Sequence, residues 1–362
     1  MKRFWGILLS ALLLLGAVPR SEALSAACAV VMDEDSGRVL YEQNAHEPRL
    51  IASITKLMTA LTALESGHAP DEVVEIEPEW TGAEGSTLYL KAGERLRLET
   101  LLYGLMLRSG NDAALAVAAY CGESVECFVA QMNRKAEELG MRDTHFVNPS
   151  GLNAEGHCST AYDMALLARA CLENETLATI VATKTITLEN RTFTNHNKLL
   201  WRCPGCIGLK TGYTEKAGRT LVSAAERDGT TLICVTLNAP DDWRDHMTLY
   251  DRFFASHPRR VLTEAGERVY HLPVSGALEP LCWVEAETDV SAALQADEVP
   301  YAELRLNCSG LTAPVQEKTV VGELVWMLEG RELARTNLIV PQDVPCVLAP
   351  RRGFLSRLFA GL

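Results

Sequence analysis

The sequence lacks an excess of basic residues, and its interior lacks a long apolar run. Lys and Arg number 34 against 47 Asp and Glu, so the formal net charge is −13. That charge argues against a nucleic-acid-binding protein, which needs a basic surface. No interior run reaches the roughly 20 apolar residues of a transmembrane helix, so no internal span is expected. With 48% hydrophobic and 22% charged residues among 362, the chain is globular and long enough for two domains.

Motifs of several hydrolase and cofactor-binding classes are also missing. The chain contains no G-x-S-x-G, no H-E-x-x-H, no P-loop and no G-x-G-x-x-G, which argues against the classes that depend on them. Cys203 and Cys206 form a C-x-x-C, but no second pair stands at the spacing of a zinc knuckle. The chain has 11 cysteines, and we expect scattered thiols or one local disulfide. Neither a metal nor a cofactor is expected.

The N-terminus has the composition of a secretory signal peptide. Lys2 and Arg3 precede the apolar stretch "FWGILLSALLLLGAV". "SEA" follows, with small residues where a signal peptidase cleaves. We therefore predict a signal peptide at residues 1–23 and exclude it from the fold. A retained N-terminal anchor is the alternative, although the apolar core is short for a membrane span.

Residues 24–258 mix strand and helix patterns. "CAVVMDEDSGRVLYEQNAHEPRL" alternates apolar and polar residues around a Ser-Gly pair, which predicts a hairpin. Apolar spacing predicts helices at 53–66, 98–107, from 112, 125–140 and 159–174. A short strand is predicted near "STLYL" (86–90), further strands begin at 183, and a last helix ends before Pro258. The pattern predicts an α+β fold, with a helical cluster inserted between strands from both ends of the segment.

The remainder of the chain changes in character. Residues 259–349 contain short apolar segments separated by Gly and Pro, which predicts a small β-rich domain. Residues 350–362, "PRRGFLSRLFAGL", place Phe354, Leu355, Leu358, Phe359 and Leu362 on one helical face, with Arg351, Arg352 and Arg357 around it. Such a basic amphipathic helix suits an anionic membrane surface but is far too short to span. A disordered or domain-packed tail is the alternative.

A lysine stands in an apolar helical stretch, "IASITKLMTALTALESG" (51–67). Its position suggests a catalytic role. Ser53 lies three residues before Lys56, and residues at this spacing share a helix face, so the hydroxyl and the amine can touch. A serine becomes a nucleophile when a base takes its proton. The lysine can be that base only when neutral, which apolar burial and a second cation both favour. On the order of one S-x-x-K match is expected by chance in such a chain, so the motif alone is weak.

Two further motifs add polar groups. "RSGND" places Ser109 and Asn111 on a tight turn between helices, where they can point into one cleft or simply cap a helix. "IGLKTGYT" places Lys210 and Thr211 on a strand, followed by Gly212. A glycine inside a strand often marks the close approach of another backbone or a ligand. A cation and a hydroxyl on an open strand edge can hold a carboxylate, and the edge can pair with an extended peptide.

The motifs S-x-x-K, S-x-N and K-T-G in this order match the penicillin-binding set, with Ser-Gly-Asn in place of Ser-Asp-Asn. The sequence resembles the D-alanyl-D-alanine carboxypeptidases, low-molecular-mass penicillin-binding proteins of serine peptidase family S11. The likeness is dense over about 28–257 and includes "IASITKLMTA", "LKAGERLRLETLLYGLMLRSGNDAA", "NPSGL" and "IGLKTGYTEKAGRTLVSAAERDG". It implies a penicillin-binding, serine β-lactamase-like fold for residues 24–258, with an antiparallel sheet and a helical cluster.

The resemblance also implies roles. Ser53 attacks the carbonyl between the last two D-alanines of a peptidoglycan stem peptide and forms an acyl-enzyme. Lys56 accepts its proton, Ser109 relays a proton to the departing amine, and Asn111 positions Lys56 and the substrate amide. β-Lactams, which copy the dipeptide end, would acylate Ser53 too. The enzyme would act at the outer face of the cytoplasmic membrane or in the cell wall space.

The K-T-G strand carries the remaining implied roles. Lys210 and Thr211 bind the terminal carboxylate, and Lys210 helps keep Lys56 neutral. The N–H groups of Ser53 and Tyr213 form the oxyanion hole, beside Gly212. Arg244 lies where the family places an arginine near the substrate carboxylate, and a surface salt bridge is an equal alternative for it.

Two other functions remain open from the sequence. A serine β-lactamase shares the nucleophile and the K-T-G strand, but it needs an added carboxylate to activate the deacylating water, and none can be placed. A catalytically idle scaffold that binds peptidoglycan stems would not need every reactive residue that is present.

Overall fold

The structure, a computed structural model, describes residues 23–347. The predicted tail at 350–362 lies outside the described residues, and so does the predicted signal peptide except for Ala23. The helices of the described part are α1 (Lys56–Leu64), α2 (Leu98–Leu107), α3 (Asn111–Cys121), α4 (Val125–Glu138), α5 (Ala161–Glu173), α6 (Glu175–Ala182), α7 (Leu199–Arg202) and α8 (Asp242–Ser256). Short 3₁₀ turns cover Ala52–Thr55 and Pro78–Trp80.

The strands of the first region lie on both sides of the helical cluster in sequence. They are β1 (Cys28–Asp33), β2 (Val39–Gln43), β3 (Val73–Glu75), β4 (Arg95–Arg97), β5 (Thr185–Leu188), β6 (Arg191–Thr194), β7 (Cys206–Thr214), β8 (Gly218–Arg227) and β9 (Thr230–Leu237). The strands of the second region are β10 (Arg259–Thr263), β11 (Arg268–Ser275), β12 (Leu281–Ala286), β13 (Val290–Ala293), β14 (Tyr301–Leu306), β15 (Leu311–Thr312), β16 (Val320–Leu328) and β17 (Arg331–Ile339).

A five-stranded antiparallel sheet with the order β2-β1-β9-β8-β7 forms the frame of the first region. The predicted hairpin is confirmed as β1 and β2, with Gly37 at φ +70° in the turn. Strand β1 pairs with β9 although nearly the whole helical cluster lies between them in sequence. The predicted α+β arrangement is therefore confirmed, and β7 is left at an edge of this sheet.

The sheet lies between two helical layers. On one face, α1 is buried among α2, α3, α4 and α5, with Ile54, Leu57 and Leu61 in a common apolar core. On the other face, α8 packs on β8 and β9 through Tyr250 and Phe253. The apolar run of the 51–67 stretch therefore fixes the helix that follows Ser53 at the centre of the molecule.

The predicted strand near 86–90 is wrong. These residues pair with no strand of the described part, and Tyr89 has φ +56°, which is not an extended conformation. Their main-chain donors are satisfied by a side chain: the N–H groups of Leu88 and Leu90 donate to the Asp112 carboxylate at 2.9 and 3.1 Å. Because each buried N–H needs one partner, a carboxylate can replace a neighbouring strand here.

The second region is β-rich. Its main sheet has the order β14-β16-β17-β12-β11-β15, in which β11 and β15 are parallel. Its core contains Leu272, Val284 and Leu338. Within residues 23–347, no single helix is both long and apolar enough to cross a membrane; α3 and α4 qualify only when taken together across an 89° bend.

Candidate active site

Ser53 lies in the 3₁₀ turn that leads into α1. The residue before it, Ala52, has φ +50°, a left-handed conformation that an alanine rarely adopts. A Cβ placed on Gly151 would lie 1.9 Å from the Ala52 carbonyl oxygen. The "NPSGL" loop therefore needs a glycine at 151, because its backbone packs directly against the turn that carries Ser53.

Lys56 is fully buried, and its amine faces three oxygen atoms. Lys56 Nζ lies 3.0 Å from Ser53 Oγ, 2.7 Å from Asn111 Oδ1 and 2.5 Å from Ser150 O. The amide of Asn111 is oriented by its own Nδ2, which donates to the Glu84 carbonyl at 2.6 Å. Of the three atoms, only the Ser53 hydroxyl can donate a hydrogen bond.

The three oxygen atoms fit an ammonium that donates to all of them, and they also fit a neutral amine. In the neutral form, the two carbonyl oxygens accept the two N–H bonds of the NH₂ group, and the Ser53 O–H donates to the nitrogen lone pair. The pKa of Lys56 is lowered well below its ordinary value, first by burial and then by the charge of Lys210, against a smaller opposing effect of Asp112. Burial and the Lys210 charge therefore favour the form of Lys56 that can accept a proton, and the 3.0 Å contact places Ser53 within its reach.

Ser109 and Asn111 occupy the turn between α2 and α3. Ser109 has φ +61°, is nearly buried and lines the same cleft as Ser53. The N–H of Asn111 donates to the Ser86 carbonyl at 2.7 Å, which fixes the start of α3. The structure thus brings together the S-x-x-K and S-x-N motifs, which lie on different helices.

Strand β7 brings the third motif to the cleft. Lys210 is 1% exposed, its Nζ donates to the Thr211 carbonyl at 2.8 Å, and burial lowers its pKa to about 7. A Cβ on Gly212 would lie 2.9 Å from Ser53 N and 2.4 Å from Thr220 Oγ1. The backbone that approaches Gly212 is therefore that of the nucleophile turn, and this contact places β7 beside Ser53.

The cleft contains residues that sequence reasoning missed. Besides Ser53, Ser109, Thr211, Gly212 and Tyr213, its lining includes Ser86, Asn195, His196, Lys198, Arg219, Asp242 and Trp243. Arg244 is exposed on α8 and is not among these lining residues; its role stays a prediction. Arg219 stands within "EKAGRT", seven residues after Gly212 of the K-T-G motif, and that proximity was the available signal.

The loop before α7 is held by two asparagines that the sequence analysis did not single out. Asn195 Nδ2 donates to the Val181 and Thr183 carbonyls, and Asn197 Nδ2 donates to the Gly208 carbonyl at 2.8 Å. The N–H of His196 donates to the Leu107 carbonyl at the end of α2. These bonds close one wall of the cleft. The described residues contain no group of three or more His, Cys, Asp or Glu that could hold a metal.

Comparison with known proteins identifies the family. The family model of the D-alanyl-D-alanine carboxypeptidases, Peptidase S11, matches residues 16–241. The chain belongs to the D-alanyl-D-alanine carboxypeptidase family. It is 31% identical to D-alanyl-D-alanine carboxypeptidase DacF of Bacillus subtilis, over 99% of this chain and 97% of DacF.

Solved structures of penicillin-binding proteins are similar in fold. Penicillin binding protein 5 of Haemophilus influenzae has a TM-score of 0.73 at 28% identity, over 91% of this chain and all of that one. A peptidoglycan synthesis regulatory factor (PBP3) of Streptococcus pneumoniae has a TM-score of 0.81 at 25% identity, over 89% of this chain and all of that one. The expected penicillin-binding fold is confirmed, and this carboxypeptidase-family chain is a serine hydrolase. The β-lactamase and scaffold alternatives are not favoured.

Proposed function

We propose that the cleft removes the terminal D-alanine from peptidoglycan stem pentapeptides through an acyl-enzyme on Ser53. The observation that carries this proposal is the 3.0 Å contact between the fully buried Lys56 amine and the Ser53 hydroxyl, at a site where burial and Lys210 lower the pKa of the lysine. Lys56 takes the hydroxyl proton while Ser53 Oγ attacks the carbonyl carbon of the penultimate D-alanine.

The main-chain contact between β7 and the nucleophile turn supports the next step. The N–H groups of Ser53 and Tyr213 stabilise the oxyanion of the tetrahedral intermediate. The substrate lies along the open edge of β7 as an added strand. Ser109 relays the proton to the departing D-alanine amine, and Asn111 holds Lys56 and the substrate amide.

The substrate carboxylate is bound at the K-T-G strand. Lys210 supplies positive charge, and the Thr211 hydroxyl donates a hydrogen bond. A charge-assisted bond of this kind is roughly twice as strong as a neutral one, so the enzyme prefers a peptide that ends in a free carboxylate. β-Lactams carry the same carboxylate and acylate the same serine.

Hydrolysis of the acyl-enzyme completes the reaction. Among the described residues that line the cleft, Asp242 is the one carboxylate, and its Oδ1 already accepts hydrogen bonds from Arg219 at 3.0 and 2.7 Å. No unpaired carboxylate of the described cleft is placed to activate water on a penicilloyl ester. We therefore expect the penicillin adduct on Ser53 to be long-lived.

The test compares the mature chain with its Ser53→Ala variant. The wild type should release D-alanine from a stem pentapeptide and keep a fluorescent penicillin on Ser53, while the variant should do neither. Rapid turnover of the penicillin would favour a β-lactamase. Labelling without D-alanine release would favour a binding scaffold, and release by Ser53→Ala would contradict the mechanism.

We further propose that the mature protein is exported and that residues 350–362 hold it at the outer face of the cytoplasmic membrane or in the cell wall space. The basis is the basic amphipathic pattern of that segment and the signal-like pattern of residues 1–23. Deleting 351–362 should release the mature protein from membrane fractions at moderate salt. Membrane retention of the deleted form would contradict the role of the tail, and N-terminal sequencing would then show whether residues 1–23 remain.

A further inference from the structure

The cleft contains an arginine beside the K-T-G strand. Arg219 lies on β8 directly opposite Tyr213 of β7, and Tyr213 is the residue that follows the K-T-G motif. Opposite residues of an antiparallel pair place their side chains on the same face of the sheet. Arg219 therefore lies next to the strand that carries Thr211, and both side chains line the cleft.

The guanidinium group of Arg219 is held in place by two residues of α8. Its Nε and Nη2 donate to Asp242 Oδ1 at 3.0 and 2.7 Å, and its central carbon lies 5.3 Å from the centre of the Trp243 ring. Asp242 is 2% exposed, and its Oδ1 also accepts the N–H of Trp243 at 2.8 Å. The side chain is therefore fixed by an ion pair and a stacked ring rather than left free to move.

The fixed geometry leaves hydrogen-bond donors for a ligand. A guanidinium has five N–H groups that can donate hydrogen bonds. Within residues 23–347, the acceptor of the hydrogen bonds from the Arg219 guanidinium is Asp242 Oδ1. The Nη1 group is not used in these bonds, and the side chain is 38% exposed. Unlike a buried lysine, an arginine stays protonated throughout the physiological range.

We propose that Arg219 is a second cation for the C-terminal carboxylate of the substrate, and that Asp242 and Trp243 are its positioning residues. The inference rests on the proposed function, because it needs a substrate that ends in a carboxylate next to Thr211. It adds a cation on the sheet, and the role predicted for Arg244 on α8 stays a separate prediction.

The charge of Arg219 complements that of Lys210 as the pH changes. Burial lowers the pKa of Lys210 to about 7, so its charge falls as the pH rises through neutrality. A guanidinium group is charged on both sides of neutrality. Carboxylate binding that depends on both groups should persist at alkaline pH in the wild type and weaken steeply above pH 7 when Arg219 is replaced.

The test measures steady-state kinetics of the mature chain and of Arg219→Gln on a peptide ending in D-Ala-D-Ala and on its C-terminal carboxamide. We expect Arg219→Gln to raise KM for the carboxylate roughly 10- to 100-fold, the range of a lost charge-assisted bond. The kcat should change less than about threefold, and the carboxamide should show no selective loss. Asp242→Asn should raise KM for the carboxylate by a smaller factor, and Arg219→Lys should restore part of the loss.

Arg252→Gln is the matched control. Arg252 also lies over an aromatic ring, 5.1 Å from the centre of Phe253, but it does not line the cleft, so its replacement should leave KM unchanged. Equal losses on carboxylate and carboxamide, or a lowered thermal midpoint with unchanged KM, would show that Arg219 has a structural role only and overturn the inference.

Penicillin acylation separates this inference from the proposed function. Arg219→Gln should slow acylation by a penicillin with a free carboxylate and leave acylation by its methyl ester unchanged. The wild type could release no D-alanine while Arg219→Gln still slows acylation by the free-carboxylate penicillin alone. The proposed function would then fail, and the assignment of Arg219 would stand. Equal acylation rates of wild type and variant by both compounds would overturn the assignment.

Discussion

Two lysines beside the cleft are buried, whereas the β-rich region keeps its charged side chains out of its core. Lys56 and Lys210 are 0% and 1% exposed. In residues 259–347, no charged side chain is buried, and pairs such as Arg335 with Glu332 and Arg268 with Glu285 lie at the surface. Such exposed pairs contribute about 0–1 kcal/mol each. A buried amine instead costs free energy, so its persistence in one region indicates a use in chemistry.

Replacing the buried base should have the largest effect. Lys56→Met removes the proton acceptor, so the rate of D-alanine release should fall roughly 10²–10⁴-fold, with far-ultraviolet circular dichroism confirming that the variant is folded. Arg335→Met, in the surface pairs of the β-rich region, should leave the rate unchanged and alter the free energy of unfolding by at most about 1 kcal/mol. Release by Lys56→Met at more than a tenth of the wild-type rate would mean that another group takes the Ser53 proton.

Two glycines in close contacts offer a sharper comparison. In Gly212→Ala the new methyl group would press on Ser53 N and Thr220 Oγ1, which displaces the proposed oxyanion hole, and kcat/KM should fall roughly 10²–10³-fold.

Gly322→Ala is its counterpart in the β-rich region. Its Cβ would lie 2.4 Å from the Arg305 carbonyl oxygen and 2.9 Å from Leu306 Cα. Urea unfolding should therefore show a loss of about 1–3 kcal/mol, while kcat/KM per folded molecule is kept. Similar losses of kcat/KM in both variants would indicate that the close packing of either glycine affects catalysis, and that the position of Gly212 beside Ser53 is not the cause.

The pH dependence of stability provides a further comparison of the two regions. The pKa of Lys210 is about 7 in the folded chain and about 10.4 when unfolded. Between these values the unfolded chain binds more protons at this site, so the free energy of unfolding rises with pH. Below about pH 7 both states are protonated, and the folded state carries the full cost of the buried charge.

In the wild type, the free energy of unfolding should rise with pH between about pH 7 and 10.4. Lys210→Met should reduce this rise by up to about 1.4 kcal/mol per pH unit, as measured by urea unfolding at several pH values. Lys318→Met, at an exposed position of the β-rich region, should leave the slope as in the wild type. An unchanged slope in Lys210→Met would show that the folded chain keeps this amine protonated.

Local patterns predicted much of the fold. Helical spacing identified α2, α3, α4 and α5, and the Ser-Gly pair identified the first hairpin, because these features depend on residues close in sequence. The strand expected at 86–90 failed for a non-local reason: Asp112 supplies the acceptors that a neighbouring strand would have supplied. Helix α6 was missed because its eight residues, Glu175–Ala182, give a short pattern without a distinct signal.

Local spacing predicted that Ser53 and Lys56 lie one turn apart at the start of an apolar helix, and that a glycine follows Lys210 and Thr211 on a strand. Helix periodicity and strand geometry fix those relations wherever the segments lie. The packing of distant segments, by contrast, makes the carbonyl of Ser150, 94 residues after Lys56, accept a hydrogen bond from the lysine amine. It also placed Arg219, rather than Arg244, among the residues lining the cleft. Such contacts depend on how distant segments pack, which no local pattern records.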